Sequence, residues 1–533
     1  MKHINKLTLS SVVLTLLLST PALIILSHLF LPNSANWEHL KQSLLLGYIL
    51  NSLYIMFGVA VLTSIIGFTT AYLTTLYSFS FSKFFHYGLI LPFALPTYIV
   101  AYIYGGMFDI TGSVTTAMLT LFNTTISEVN FFDIMSIEGA IIVMSLVLYP
   151  YVYLISKTYL RAQSASVIDA SKTLGLTQWQ IFYKVIIPIS RPAIVAGVIL
   201  AVMEAVSDFG VMDYYGVATF VTGIFRTWLG MGSVEDASKL ASILMLCIFL
   251  LIFLERFQRK NIQYKSSGKD FKPISKIKLH GVKNILAFFA CFVPFFLGFL
   301  LPFSQMSYWF ILSYKEVLDE SFYTILIQTF AIAAGSALLI TLLAFLFVYN
   351  VRSSKNRFSD TLTQLAKLGY SIPGAVIAVG ILSFFALLDS FIFHIFNINI
   401  LISGTLIALV FGYCVRFLAI AINNYESGFS KIPTTYDDAC KTMNISETKT
   451  LQSIILPLIK NASTAAFIIV FIEVIKELPL SMILRPFNYD TLAVLTHELV
   501  MQSQVIESSV PAMFIVGLGI ISVLILAKKM IKD

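Results

Sequence analysis

About twelve apolar runs, separated by short polar segments, constrain this chain more than any other feature of its sequence. Most of them approach or exceed the roughly 20 residues that an apolar helix needs to cross a bilayer. A segment exposed to lipid has to satisfy its own backbone hydrogen bonds, and the runs lack the alternating polarity of a membrane β-barrel, so we expect helices. The runs lie near residues 7–31, 51–76, 85–107, 138–156, 193–210, 238–254, 284–302, 323–349, 366–388, 400–422, 462–484 and 509–527.

Composition agrees with a membrane protein. Hydrophobic residues make up 58% of the 533 residues and charged residues 12%, which is about half the charged share of a soluble protein. The run at 7–31 is longer than the apolar core of a signal peptide, so we expect it to be kept as the first span. The fold class predicted is therefore an all-α membrane protein with about 12 transmembrane helices.

Lysine and arginine are unevenly distributed among the loops, which predicts an orientation. The segment 108–138 has no Lys or Arg and contains four acids, as expected outside the cell. With both termini in the cytoplasm, the inner loops contain the basic residues Lys83, Lys157, Arg161, Lys172, Lys184, Arg191, Arg352, Lys355, Arg357, Lys528, Lys529 and Lys532. We therefore predict a multi-pass membrane protein with cytoplasmic N- and C-termini.

A basic segment at residues 256–283 divides the chain. It contains nine Lys or Arg residues and a single acid, Asp270. A cytoplasmic loop of this kind is typical of the positive-inside bias and of contact with anionic lipid head groups, and we predict no nucleic-acid partner. The predicted domains are residues 1–255 and 284–533, with 256–283 as a linker whose centre, Ser266-Ser-Gly268, is expected to be flexible.

Two polar loops repeat the same pattern at one constant offset. Ser166, Asp169, Ala170, Gly175 and Pro188 of the first correspond to Thr435, Asp438, Ala439, Asn444 and Pro457 of the second. About six spans separate them, and an even number places both loops on one face of the membrane. The halves are then parallel six-helix repeats rather than inverted ones.

The residue types in these loops predict a helix, a sharp turn and a second helix. Ser166 and Thr435 are N-cap residues in form, each with an acid three positions later. Gly175 and Asn444 are suited to the left-handed residue that ends a helix. Thr177 and Ser446 would cap the second helix, and Pro188 and Pro457 would mark the return to the membrane, because a residue before proline avoids the helical region.

One face of the first short helix is apolar in both loops. It carries Val167, Ala170 and Leu174 in the first loop, and Tyr436, Ala439 and Met443 in the second. Such a face suits docking to another protein, and the small alanine allows a close approach. The alternative is an amphipathic helix that rests on lipid, but duplication at fixed spacing favours docking.

These loops resemble the EAA loop of bacterial ABC importer permeases, with the consensus EAA-x3-G-x9-I-x-L-P. The first copy reads Asp-Ala-Ser-x3-Gly-x9-Val-x-Ile-Pro, and the second departs from the pattern at Cys440 and Asn444. The resemblance implies that both loops are coupling helices held in grooves of two copies of a cytosolic ATPase. It also implies a fold of the ABC importer permease type and an extracytoplasmic substrate-binding protein.

Further stretches resemble the ferric-iron permeases, which fuse two permease domains in one chain. They include Leu-Pro-Phe-Ala-Leu-Pro96-Thr-Tyr and Lys476-Glu-Leu-Pro-Leu-Ser-Met-Ile-Leu-Arg485-Pro-Phe-Asn-Tyr-Asp. This resemblance implies import of ferric iron. Thiamine permeases share the fused layout and are the alternative.

The constant offset also pairs four acids within apolar runs. Glu204 and Asp208 correspond to Glu473 and Glu477, and each pair is spaced so that one helix would place both acids on one face. A charge at mid-bilayer costs about 2.5–3.5 kcal/mol. We consider two interpretations, a translocation pathway or gate and simple pairing with a cation such as Lys476.

No phosphate-binding loop is present, since Gly268-Lys269-Asp270 lacks the first glycine and the hydroxyl of that motif. We therefore expect no enzyme activity and no bound cofactor in this chain, with ATP and Mg²⁺ on a separate ATPase. An ion-coupled secondary transporter and an intramembrane enzyme are the alternatives, but neither needs a duplicated docking loop.

Neither the cysteines nor the histidines show metal-ligand spacing, so we predict no metal site. Several tyrosines could bind Fe³⁺ in principle, but most are better interpreted as interfacial aromatics. These tyrosines are Tyr98, Tyr102, Tyr104, Tyr214 and Tyr215.

Overall fold

The computed structural model describes residues 6–123, 132–162, 170–171, 173–260, 276–354, 356–399 and 401–532. Almost all of them are helical, which confirms the predicted fold class. The helices of the first part of the chain are α1 Lys6–Ser27, α2 Ala35–Ser43, α3 Leu45–Leu76, α4 Ser82–Gly88, α5 Thr97–Phe108, α6 Ser113–Phe122, α7 Ile137–Ala162, α8 Gln178–Ile181, α9 Ile187–Ser207, α10 Phe209–Tyr214, α11 Phe220–Phe225 and α12 Val234–Lys260.

The second part continues in the same way. Its helices are α13 Val282–Phe295, α14 Leu301–Val317, α15 Glu320–Ser354, α16 Arg357–Ala366, α17 Gly374–Phe396, α18 Leu406–Phe429, α19 Thr435–Thr442, α20 Glu447–Thr450, α21 Leu456–Lys476, α22 Pro479–Leu484, α23 Leu492–Met501 and α24 Val505–Lys532. Short 3₁₀ segments lie at His28–Phe30, Leu91–Ala94, Lys367–Ser371 and Ile402–Gly404, and π-helical turns lie at Phe182–Ile186, Arg226–Gly230, Phe296–Leu300 and Leu451–Ile455.

Within the described residues, eleven helices are long and apolar enough to cross a membrane. A twelfth span results if the bent pair Ser82–Ala94 and Thr97–Phe122, which meet at 88°, is counted as one. Each of the twelve predicted apolar runs overlaps one of these segments, including the run interrupted by Glu204, which lies in the span Gln178–Ser207.

The centre of the predicted linker, residues 261–275, lies outside the described residues. On one side, α12 continues to Lys260, into the predicted linker. On the other side, the two-residue strand Ile277–Lys278 (β2) pairs in parallel with Tyr77–Ser78 (β1), and the Leu279 amide donates to the Ser78 carbonyl at 3.0 Å. The end of the linker is thus held by backbone hydrogen bonds.

Packing divides the helices into two compact units that do not follow the order of the chain. Unit 1 comprises Met1–Ser34, Ile224–Met245 and Leu318–Leu495. Unit 2 comprises Ala35–Gly223, Leu246–Val317 and Thr496–Asp533. The predicted domains describe repeats along the sequence and stay a prediction, whereas each packing unit takes helices from both halves.

In unit 1, helix α1 packs along α16 and α17. Gly380 makes this contact close, because a Cβ atom there would lie 2.8 Å from the Pro21 carbonyl oxygen and 2.6 Å from Ile25 Cδ1. The hydroxyl of Thr8 donates to Asn350 at 3.0 Å, which joins α1 to α15. Small residues and interhelical hydrogen bonds are the usual means by which helices associate in lipid.

In unit 2, helices α3, α7 and α9 pack around Val152. A Cβ atom on Gly67 would lie 2.7 Å from Val152 Cβ, and one on Gly197 would lie 2.6 Å from Val152 Cα. The two glycines therefore bring α3 and α9 against the backbone of α7, again by small residues at the contact.

The interpretation of the tyrosines as interfacial aromatics is wrong for four of them. Tyr98, Tyr102, Tyr104 and Tyr215 are buried in unit 2, whereas interfacial aromatics face the lipid head groups. The phenol groups of three of them have polar partners inside the unit. Tyr102 bonds to His497, Tyr104 to the Leu297 carbonyl and Tyr215 to the Ala101 carbonyl.

Candidate functional site

The first polar loop, residues 166–188, is described from Ala170 onward, apart from residue 172. The predicted cap residues Ser166 and Asp169, and Val167 of the apolar face, lie outside the described residues. Leu176 donates to the Ser171 carbonyl at 3.2 Å, across Gly175 at φ +79°. This six-to-one bond with a left-handed residue is the Schellman ending of a helix, so the predicted role of Gly175 in the turn is confirmed.

The second helix of the first polar loop begins at a reciprocal cap. The Thr177 hydroxyl accepts from the Gln180 amide at 3.3 Å, and the Gln180 side chain accepts from the Thr177 amide at 2.9 Å. This arrangement is a capping box, which satisfies two backbone donors that the helix leaves free. The predicted cap at Thr177 is confirmed.

The second polar loop, residues 435–457, repeats the turn. Ile445 donates to the Cys440 carbonyl at 2.9 Å, and Asn444 has φ +55°. Ser446 Oγ accepts from the Lys449 amide at 3.4 Å, but lysine at that position cannot return the bond as Gln180 does. Both predicted positions are confirmed, with a weaker cap in the second loop.

Two predicted details of these loops are wrong. Helix α19 already includes Thr435, and the amides of Asp437 and Asp438 donate to the Thr434 carbonyl at 3.0 and 3.2 Å, so Thr434 occupies the N-cap position. The chain is also helical before each proline, because the π-helical turns Phe182–Ile186 and Leu451–Ile455 precede Pro188 and Pro457. A π-helical turn is wide enough to accommodate the proline ring, and it does not need the backbone N–H that proline lacks. The helix therefore continues through each proline.

The apolar face of each loop is exposed. The exposed fraction is 81% for Leu174 and 73% for Met443, and Tyr436 is also exposed. Ala170 and Ala439 lie on the surface, while Ser171 and Cys440 beside them are buried and hold the loop against its own unit. A partner could therefore reach the alanines without displacing a larger side chain.

Arg352 anchors the second polar loop within unit 1. Its Nε lies 2.8 Å from Asp437 Oδ2, and its terminal nitrogens donate to the Ile432 and Pro433 carbonyls at 3.1 and 3.2 Å. The guanidinium also lies 5.3 Å from the centre of the Phe429 ring. Arginine suits this role because its planar fork can bind several oxygens at once, and it ties α15 to the start of α19.

The membrane acid Asp208 of unit 2 lies at a break between α9 and α10. Its Oδ1 accepts from the Val211 amide at 3.0 Å and caps α10, and its Oδ2 accepts from the Thr97 hydroxyl. Thr97 is the first residue of α5, directly after Pro96. Among the described residues, no lysine or arginine pairs with this carboxylate.

Glu477 lies at the corresponding break in unit 1, between α21 and α22. Its Oε1 accepts from the Leu480 amide at 3.2 Å, and its Oε2 lies 2.9 Å from Arg416 Nε. Gly374, the first residue of α17, faces the pair, since a Cβ atom there would lie 2.4 Å from Glu477 Oε1 and 2.9 Å from an Arg416 nitrogen. The pair is buried, with 6% of the Glu477 side chain exposed.

The prediction that each pair of acids shares one helical face is wrong. Asp208 and Glu477 have extended ψ angles of 111° and 114° and lie beyond the ends of α9 and α21. A carboxylate that caps the next helix is stabilised outside the preceding one. Glu204 and Glu473 remain helical, and Glu473 lies 3.5 Å from Lys476 on its own helix.

His497 and Asp213 lie near Asp208 in unit 2, and neither was predicted. His497 Nδ1 bonds to the Tyr102 hydroxyl, and its Nε2 lies 3.4 Å from Asp213 Oδ2. The histidine ring packs against Phe209, with 5.5 Å between ring centres. A lone histidine within a short apolar helix gives no sequence signal, whereas the missed Arg416 is a charge inside an apolar run, which marks a functional position.

Within the described part of the chain, no three His, Cys, Asp or Glu side chains are close enough to form a metal cage. The four cysteines are unpaired thiols.

Comparison with known proteins identifies related chains. The Fe(3+)-transport system permease protein FbpB 2 of Haemophilus influenzae is 24% identical over 90% of this chain and 89% of its own length. The ferric transport system permease protein FbpB of Actinobacillus pleuropneumoniae is 25% identical over 81% of this chain and 64% of its own length. The sulfate transport system permease protein CysT of Escherichia coli is 25% identical over 45% of this chain and 90% of its own length.

The family described as the binding-protein-dependent transport system inner membrane component matches the chain twice, at residues 63–262 and 338–531. Each match includes one polar loop and one pair of membrane acids. Members of this family are membrane subunits of ABC importers rather than enzymes. With both matches in one chain and more than half of its length covered, this protein belongs to that family as a fused, two-domain permease.

Proposed function

We propose that this chain is the permease subunit of an ATP-driven importer of ferric iron. The proposal rests on the share of this chain that aligns with its relatives. Relatives named for ferric transport align over 81–90% of this chain, which itself contains both permease domains. The membrane carboxylates Asp208 and Asp213, which pair with no lysine or arginine among the described residues, suit a cationic substrate better than an anion.

Sulfate is the second candidate. Relatives named for sulfate transport are 24–27% identical to this chain, so identity does not separate the two substrates, but they align over only 37–45% of it. Arg416 could attract an anion, yet Glu477 already neutralises it. Thiamine, the alternative drawn from the fused layout, has no further support here.

Coupling to ATP would take place at the two polar loops. We propose that each exposed helix is received by one of two copies of a cytosolic ATPase, which binds ATP and Mg²⁺. Both loops and both termini would then be cytoplasmic, and an extracytoplasmic binding protein would deliver the substrate. The contact residues proposed are Ser166, Asp169, Ala170, Leu174, Gly175, Thr435, Asp438, Ala439, Met443 and Asn444.

Closure of the ATPase would move the two loops and open the permease alternately to either side of the membrane. The acids Glu204, Asp208, Glu473 and Glu477 are proposed to line the pathway or its gate. Glu473→Gln is then expected to lower uptake while leaving the complex assembled. Uptake equal to that of the parent would exclude Glu473 from the pathway.

The substrate is tested by uptake into proteoliposomes. The permease, its ATPase and its binding protein are reconstituted, and the entry of radiolabelled Fe³⁺, sulfate and thiamine is measured with and without ATP. ATP-dependent entry of iron alone supports the proposal, and ATP-dependent entry of sulfate or thiamine alone contradicts it. Uptake that needs neither ATP nor the ATPase would contradict an importer of this class.

The docking role of the two polar loops is tested by placing a charge on their exposed apolar faces. Leu174→Asp and Met443→Asp place a carboxylate at the two exposed apolar positions and should reduce co-purification of the ATPase. Leu121→Asp is the control, because Leu121 is equally exposed, at 81%, but lies on α6, in the segment predicted to be outside the cell. Equal recovery of the ATPase with all three variants would contradict docking.

A further inference from the structure

In unit 2, a carboxylate oxygen of Asp213 and an imidazole nitrogen of His497 face each other. Their facing atoms, Asp213 Oδ2 and His497 Nε2, are 3.4 Å apart. His497 is buried, with 1% of its side chain exposed, and its Nε2 has no hydrogen-bond partner among the described residues. A buried nitrogen without a partner is uncommon and calls for an explanation.

The separation fits a shared ion. Two donors that each bind a metal at about 2.1 Å and lie 3.4 Å apart subtend an angle of roughly 110° at the metal. Carboxylate oxygen and imidazole nitrogen are both ligands for transition metals such as iron.

Tyr102 fixes the orientation of the imidazole. It is buried, and its hydroxyl bonds to His497 Nδ1, the nitrogen that faces away from Asp213. When Nδ1 carries the proton and donates to the phenol oxygen, the lone pair of Nε2 points toward Asp213. Metal-binding histidines generally have a partner of this kind on the other ring nitrogen.

The charge around the pair also favours a cation. Asp208 is close enough for its charge to act on His497, and both aspartates act electrostatically on Tyr102. Among the described residues, neither Asp208 nor Asp213 pairs with lysine or arginine. In unit 1, by contrast, Arg416 neutralises Glu477.

We infer that Asp213 and His497 form a transient binding site for the transported cation, with Tyr102 as a positioning residue and Asp208 as a nearby charge. The inference rests on the proposed function, since it takes ferric iron as the substrate. Two protein ligands leave the other coordination positions to water or to a chelator. Such a site binds weakly, as transport requires, because an ion that is held tightly does not leave.

The first test separates iron passage from ATP hydrolysis in the reconstituted importer. Asp213→Asn and His497→Gln should each lower Fe³⁺ uptake about tenfold or more, a loss of about 1.4 kcal/mol of stabilisation. Hydrolysis stimulated by the iron-loaded binding protein should stay near the parent rate, because docking is untouched. Glu320→Gln, an exposed acid at the start of α15, is the control and should leave both rates unchanged.

The second test observes the ligand directly. Purified permease is incubated with Fe³⁺-citrate, and electron spin echo spectroscopy records modulation by an imidazole nitrogen. The modulation should be present in the parent and in Tyr102→Phe, with the iron bound less tightly in the latter, and absent in His497→Gln. Equal modulation in the parent and in His497→Gln would overturn the site.

The two tests distinguish the site from the proposed function. Parent protein that imports sulfate but not iron would disprove the proposed function, and the spectroscopic test would still decide whether the pair binds a ferric ion. Parent protein that imports iron, together with Asp213→Asn and His497→Gln variants that import it equally well, would disprove the site alone.

Discussion

Asp208 in unit 2 and Glu477 in unit 1 occupy the same kind of backbone break, yet their charges are handled differently. Each follows a long helix and caps a short one, through the Val211 and Leu480 amides. Asp208 is met by the hydroxyl of Thr97, whereas Glu477 is met by the guanidinium of Arg416. Both acids therefore have the same structural role, which is to cap the helix after the break. They differ in the electrostatic state of the site.

The residues that face the two acids differ in the same way. Glutamate is one methylene longer than aspartate, and Gly374 provides the space that its carboxylate occupies. Thr97, at the start of the corresponding helix, instead supplies a donor to the shorter acid. We therefore interpret the Glu477 site as a structural ion pair without net charge. The Asp208 site, in contrast, has a carboxylate that is available to a cation.

Removal of Arg416 should have the largest effect. Arg416→Ala leaves Glu477 buried without its cation, and breaking a buried ion pair from one side costs about 3–5 kcal/mol. The measurement is the thermal unfolding of the purified permease in detergent, followed by tryptophan fluorescence.

The matched control removes both charges at once. Arg416→Met combined with Glu477→Leu should be clearly more stable than Arg416→Ala, because apolar residues of similar size often replace a buried pair without loss. A double variant as unstable as Arg416→Ala would show that the pair does more than neutralise itself.

Gly374→Ala should have the next largest effect. The new Cβ atom would lie 2.4 Å from Glu477 Oε1, so the acid and Arg416 must move. Overpacking of this kind costs about 1–3 kcal/mol. Glu477→Asp in the same chain should restore part of the loss by withdrawing the carboxylate, and a thermal shift that Glu477→Asp does not change would contradict the steric account.

Thr97→Val should destabilise unit 2 by about 1.5 kcal/mol, near the lower limit for a hydrogen bond to a charged group, since Asp208 keeps its bond from Val211. Thr97→Ser preserves the hydroxyl and is the control. Thermal unfolding of the two variants is compared with the parent. A Thr97→Val variant as stable as the parent, or less destabilised than Thr97→Ser, would contradict the role of the hydroxyl.

Several features that organise these sites could be predicted from the sequence, and the reasons are local. A long apolar run predicts a span because length and hydrophobicity are sufficient. Gly175 and Asn444 were predictable because few residues tolerate a left-handed backbone, and both turns have φ values of +79° and +55°. Thr177 was predictable because its cap is closed by a residue three positions later.

The remaining features depend on contacts that are distant in sequence. The acid spacing suggested one continuous helix, but the chain breaks at Asp208 and Glu477 because each carboxylate caps the next helix. Pro479 and Gly210, two residues after each acid, were the available signals of a break. The pairing of Arg416 with Glu477, and of His497 with Asp213, joins residues on different helices. Such pairs produce no periodic pattern in the sequence.

The two polar loops give a smaller contrast than the two acids. Thr177 forms a reciprocal capping box, while Ser446 accepts a single bond at 3.4 Å. Thr177→Ala should therefore cost about 1 kcal/mol, the usual value for a lost cap, and Ser446→Ala less. Hydrogen exchange at the amides of Gln180 and Lys449 measures each cap locally, and equal protection losses would contradict the ranking.

The smallest effect is expected from Asn444→Gly. Both residues accept the left-handed backbone of the turn, so stability should change by no more than about 0.5 kcal/mol. Gly175→Ala is the counterpart in the first loop and should cost about 1–2 kcal/mol, because alanine is strained at φ +79°. If Asn444→Gly also leaves the ratio of substrate transported to ATP hydrolysed unchanged, the sequence difference between the loops is incidental to coupling. A changed ratio at unchanged stability would show that the ATPase distinguishes the two loops by the asparagine side chain itself.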